Sequence, residues 1–118
     1  MRTIAGMIFT AFSGVAAPAL ADFEKVTTRS EFVDLMTGKT LTRPLVKIAV
    51  LPNGRIAGTG AAWEVTGEWR WEGEYLCRSL SWGGDDLGYN CQQVEADGDS
   101  VRITSDRGAG RSAEFQLR

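Results

Sequence analysis

The chemistry open to this chain is bounded first by an absence: its 118 residues include no histidine. That removes Ser-His-Asp and Cys-His nucleophilic triads, histidine general bases and the usual imidazole sites for zinc or copper. Carboxylates remain for proton transfer. Asp85 and Asp86 follow Gly83-Gly84 and could bind a hard cation or share a proton, but a calcium loop needs more oxygen ligands at regular spacing than this stretch supplies. A solvated turn accounts for the same residues. Glu72 and Glu74 flank a turn beside Trp71 and Tyr75, a grouping seen where carboxylates work on carbohydrate. On an alternating strand those carboxylates face water instead. No residue is assigned as catalytic or metal-ligating, and no cofactor is expected.

Two groupings suit binding better than catalysis. Asp106-Arg107-Gly108-Ala109-Gly110-Arg111 places two arginines on a flexible loop, a composition that can grip a carboxylate or phosphate. It is not a dinucleotide fingerprint, because the G-x-G-x-x-G spacing and the strand-loop-helix unit are both missing. A charged hairpin turn is the plainer reading. The aromatic set is Trp63, Trp69, Trp71 and Trp82, with Tyr75 and Tyr89. Converging inside a small barrel, these residues would line an apolar pocket for a hydrophobic or aromatic ligand. Packed against one another, they would be the barrel's core.

The elements that must position these residues are mostly strands. One helix is expected near the start, with Thr28 as N-cap, Glu31 completing a capping box, Phe32, Leu35 and Met36 on one face, and Gly38 at the C-terminal cap. From Leu41 onward the pattern is β. Leu45 to Leu51 is an apolar run broken only by Lys47, Asn53-Gly54 signals a hairpin, and Ala61 to Thr66 reads as a strand ending at Gly67. Glu68, Arg70 and Glu72 then alternate with Trp69 and Trp71, the period of a half-buried strand. Tyr75 to Trp82 and Leu87 to Val94 lie on either side of a Gly83–Asp86 loop, and further strands follow the Asp97-Gly98 turn and the Asp106–Arg111 loop. This predicts a mainly β fold: a small antiparallel β-barrel or curved meander of about seven or eight strands with one short N-terminal helix.

Residues 1–21 read as a secretory signal peptide. Arg2 gives the positive start, Ile4 to Ala17 is apolar and uncharged, and Pro18-Ala19-Leu20-Ala21 offers an A-x-A site for cleavage before Asp22. The apolar run is too short and too poor in bulky residues for a membrane span. The expected address is periplasmic or secreted, with residues 22–118 forming a single small domain and no span in the mature chain. Its 12 basic residues (13 less Arg2) face 15 acidic ones, a net of -3, without a basic patch, so nucleic acid is not an expected partner. Cys77 and Cys91 would form one disulfide in such a compartment, stabilising the fold by roughly 3 kcal/mol in the chain-entropy picture. They lack the C-x-x-C spacing of a redox pair.

The ordered set Gly67-x-Trp69-x-Trp71, Cys77-Arg78, Cys91 and Asp106-Arg107-Gly108-x-Gly110 resembles a family of small secreted alphaproteobacterial proteins, over essentially the whole mature chain. Members are often labelled dihydrodipicolinate reductase. Such a reductase is a much longer Rossmann protein acting in the cytoplasm, and this chain lacks its glycine fingerprint, so the residues do not support that activity. A short helix before a β-meander with Gly67-x-Trp69 on a strand is also distantly lipocalin-like. The expected function is an exported, non-enzymatic binding or interaction module. Its partner would be a small apolar or aromatic ligand on the tryptophan-rich face, or an envelope protein. The alternative is a small periplasmic enzyme using carboxylate acid–base chemistry at Glu72, Glu74, Asp85 or Asp86.

Overall fold

Turns recur so closely after Leu41 that each strand pairs with its chain neighbours, and the computed structural model, which describes residues 22–118, shows the resulting meander. The signal peptide expected over residues 1–21 lies outside the described residues. The elements are β1 (Glu24–Lys25), α1 (Arg29–Met36), β2 (Leu41–Arg43), β3 (Val46–Val50), β4 (Arg55–Gly60), β5 (Trp63–Glu72), β6 (Tyr75–Trp82), β7 (Asp85–Asp97), β8 (Ser100–Thr104) and β9 (Ser112–Leu117). Strands β2 to β9 pair antiparallel in chain order, and β2 meets β9 through Leu41 opposite Leu117 and Thr42 opposite Gln116. The result is a closed eight-stranded barrel. Strand β1 lies outside the ring, paired with β7 at Glu95 and Ala96.

The helix forms where its caps predict. Thr28 Oγ1 accepts from the Glu31 N–H at 3.1 Å, and Glu31 Oε1 accepts from the Thr27 N–H at 3.3 Å. That backbone bond from Thr27 leads the interactions that hold the Glu31 carboxyl below its ordinary pKa. Phe32 and Met36 are buried. The Phe32 ring centroid lies 5.1 Å from those of both Trp69 and Trp71, and Arg29 donates to the Pro52 carbonyl. Helix α1 therefore covers the barrel end that carries the β3–β4 and β5–β6 turns. The opposite end carries the β2–β3, β4–β5 and β6–β7 turns and the loop between β8 and β9.

Three local expectations change. The strand expected from Ala61 begins at Trp63, since Ala61 and Ala62 form the β4–β5 turn with positive φ of 49° and 72°. Gly67 does not end a strand: β5 runs through it, because a Cβ there would stand 2.2 Å from the Ser79 carbonyl oxygen, so glycine permits a close backbone approach. Asp85 and Asp86 belong to β7 instead of a loop, opposite Trp82 and Ser81. The Cys77–Cys91 disulfide is present, joining residues directly opposite on β6 and β7. It fits an oxidising compartment outside the cytoplasm. Among the described residues no helix is long and apolar enough to cross a membrane.

Candidate functional site

Eight strands close around a bore that side chains can nearly fill, and here the filling is uneven. At the helix end, Phe32, Trp69 and Trp71 occupy it. Toward the other end the bore holds a cavity of about 330 Å³. Leu41, Ile48, Val50, Ile56 and Leu76 form its deeper part, with Leu80, Trp82, Ile103, Ala113 and Phe115 along its sides. These are inward positions of alternating strands, as the apolar face of each strand requires. Gly60 makes room for the Trp82 indole, since a Cβ on Gly60 would lie 1.9 Å from Trp82 Cζ2. The ring consequently lies against β4.

Five polar residues share this lining: Arg78, Gln92, Ser105, Arg111 and Ser112. Arg78 has the most constrained position. Between Ser79–Tyr89 and Ser81–Asp86 the β6–β7 register shifts, leaving Leu87 and Gly88 opposite Leu80 alone. This is a β-bulge, a device that re-aims groups beside it, and Gly88 supplies its positive φ of 79°. The Gly88 N–H donates to Asp86 Oδ1 at 2.8 Å, and the freed Gly88 carbonyl accepts from Arg78 Nη1 at 3.0 Å. Burial holds the Arg78 guanidinium below the ordinary arginine pKa, but arginine keeps its charge in a protein.

Arg111 reaches the cavity from the β8–β9 loop. That loop is fastened to β7 by a reciprocal pair of bonds: Asn90 Nδ2 donates to Asp106 Oδ1 at 2.8 Å, and the Asp106 N–H donates to Asn90 Oδ1 at 2.9 Å. Gln92 Nε2 donates to Ser105 Oγ at 3.3 Å. Asp106 and Arg107 both adopt positive φ, 55° and 56°, a conformation held only where the surroundings over-determine it. The Ser105 N–H closes the loop onto the Arg111 carbonyl at 2.9 Å.

The expected aromatic set divides three ways. Trp82 alone of the six lines the cavity. Trp69 and Trp71 pack under α1, Trp69 donating from Nε1 to the Leu51 carbonyl at 2.7 Å. Trp63 is 60% exposed at the β4–β5 turn, and Tyr75 and Tyr89 lie on the outer face. There Tyr89 donates to Glu72 Oε2 at 2.9 Å, Arg70 pairs with the same carboxylate, and Arg107 stands over the Tyr75 ring. The bond from Tyr89, followed by that from Arg70, holds the Glu72 carboxyl below its ordinary pKa. Of the polar loop, Arg111 lines the cavity, whereas Asp106 and Arg107 do not.

The four carboxylates considered for acid–base work are dispersed. Glu72 is bound as above, Glu74 pairs with Lys25 at 3.5 Å, Asp86 caps the bulge, and Asp85 sits beside the β6–β7 turn. None of them lines the cavity. Arg78 is the residue that sequence reasoning passed over. Its signal was the alternation Leu76, Arg78, Leu80, Trp82, which puts an arginine on the inward face of a strand.

Comparison of the chain with protein-family models, with curated proteins and with solved structures finds no match. The site is therefore read from its own geometry.

Proposed function

We propose that this chain is an exported, non-enzymatic binding module that holds a small apolar ligand inside the open end of its barrel. The observation that carries this is the 330 Å³ apolar cavity, within the size range of small-molecule sites, beside a packed and covered opposite end. An eight-stranded barrel with space for one small ligand is also the arrangement lipocalins use, which supports the distant likeness to them. The disulfide supports the periplasmic or secreted address; cleavage after Ala21 rests on the sequence of residues 1–21. The reductase label sometimes given to the family it resembles gains no support from this cavity, where no glycine-rich phosphate loop is found among the lining residues.

The test is calorimetric titration with 1-decanol of the wild type and of Ala113→Phe, whose new ring would occupy the cavity. One-to-one binding by the wild type, lost in a variant that is at least as heat-stable, is the expected result. A wild type that takes up no decanol, or a variant that binds it equally well, would refute the cavity reading.

A further inference from the structure

We infer that the ligand is an amphiphilic anion, with an apolar body in the cavity and a single negatively charged headgroup held by Arg78 and Arg111. This deepens the cavity reading and rests on it. The apolar lining accounts for a hydrophobic body, and 330 Å³ lies at the small end of the range for small-molecule sites. It does not account for an arginine on the same inward face as Leu76, Leu80 and Trp82.

A guanidinium taken partly out of water is costly unless it is paired. Arg78 carries five N–H donors, and among the described residues its one hydrogen bond is to the Gly88 carbonyl. No carboxylate among the described residues lies within ion-pair distance of it or of Arg111. Asp86 and Asp106, the acidic side chains tied to the bulge and the loop, are engaged by the Gly88 N–H and by Asn90. The positive charge lining the cavity is thus uncompensated among the described residues. The Gly88 bond also fixes Arg78 in place, so a headgroup would meet a donor already oriented, which lowers the ordering cost of binding. Arg111, exposed on a fastened loop, supplies a second cation without deep burial.

The test compares decanoate with 1-decanol, which share a chain and differ in headgroup charge, by calorimetry at neutral pH. Charge-assisted bonds to an arginine predict decanoate binding about tenfold or more tightly than decanol. In Arg78→Gln most of that preference is lost while decanol still binds, and in Arg111→Gln a smaller part of it is lost. Equal affinities in the wild type, or a ratio that neither variant changes, overturn the headgroup assignment and leave the cavity reading intact. Failure of both compounds to bind overturns the two readings together. Should Arg78→Gln lose its near-ultraviolet circular dichroism, Arg111→Gln decides: an unchanged ratio there counts against the inference.

Discussion

The two ends of the barrel use the same materials, tryptophan on alternating strands with an arginine nearby, and reach opposite outcomes. At the covered end Trp69 and Trp71 meet Phe32, Arg29 lies 5.3 Å over the Trp69 ring, and the bore is filled. At the open end Trp82 lies against Gly60, Arg78 lines the same cavity, and space remains. The difference is α1, which contributes Phe32 to one end. An aromatic-rich strand thus becomes core or site according to whether another element covers it.

That contrast predicts a separation of stability from binding. The largest effect belongs to Phe32→Ala. Phe32 is 1% exposed, and truncating such a residue costs about 3–5 kcal/mol. Urea denaturation should show a loss of that size, with decanol affinity of the folded protein little changed. A large loss of affinity in the folded fraction would mean that the two ends are coupled.

Gly60→Ala should disturb binding as well as stability. Its Cβ would collide with the Trp82 ring, and the shift needed to relieve this overpacking costs about 1–3 kcal/mol. Displacing Trp82 from the wall should weaken decanol binding in calorimetry and alter tryptophan fluorescence. Unaltered binding would remove Trp82 from the site.

The smallest effect distinguishes two neighbours at the covered end. Trp69→Phe removes an indole N–H bonded to the Leu51 carbonyl at 2.7 Å and leaves that carbonyl with the Gly54 N–H alone, a loss of about 0.5–1.5 kcal/mol. Trp71 Nε1 is buried without a partner among the described residues. Trp71→Phe removes that unsatisfied group, so its thermal midpoint should exceed that of Trp69→Phe. Equal midpoints would show that ring volume, not hydrogen bonding, governs both.

Much of this fold was legible in the sequence, for local reasons. The Thr28–Glu31 capping box, the Asn53-Gly54 turn and the Trp69–Trp71 alternation each encode their element within a few residues. The cysteine pair was legible from compartment and spacing. Gly67 was misread as an end because a strand's tolerance for glycine depends on which backbone approaches it, here that of Ser79. The division of the tryptophans was not legible, since it depends on where α1 docks on a closed ring. Arg78 carried a readable signal in its alternation with Leu76, Leu80 and Trp82. Its fixed position depends on the Leu87–Gly88 bulge, which alters register between strands and leaves little local trace.

The most direct test of the contrast between the ends is nuclear magnetic resonance of the indole N–H groups in ¹⁵N-labelled protein during a 1-decanol titration. The chain has four tryptophans, and conservative phenylalanine substitutions assign their signals. The account predicts that the Trp82 resonance moves to saturation while those of Trp69 and Trp71 stay in place. Stationary signals from all four at high decanol, or movement of Trp69 and Trp71 without Trp82, would contradict it.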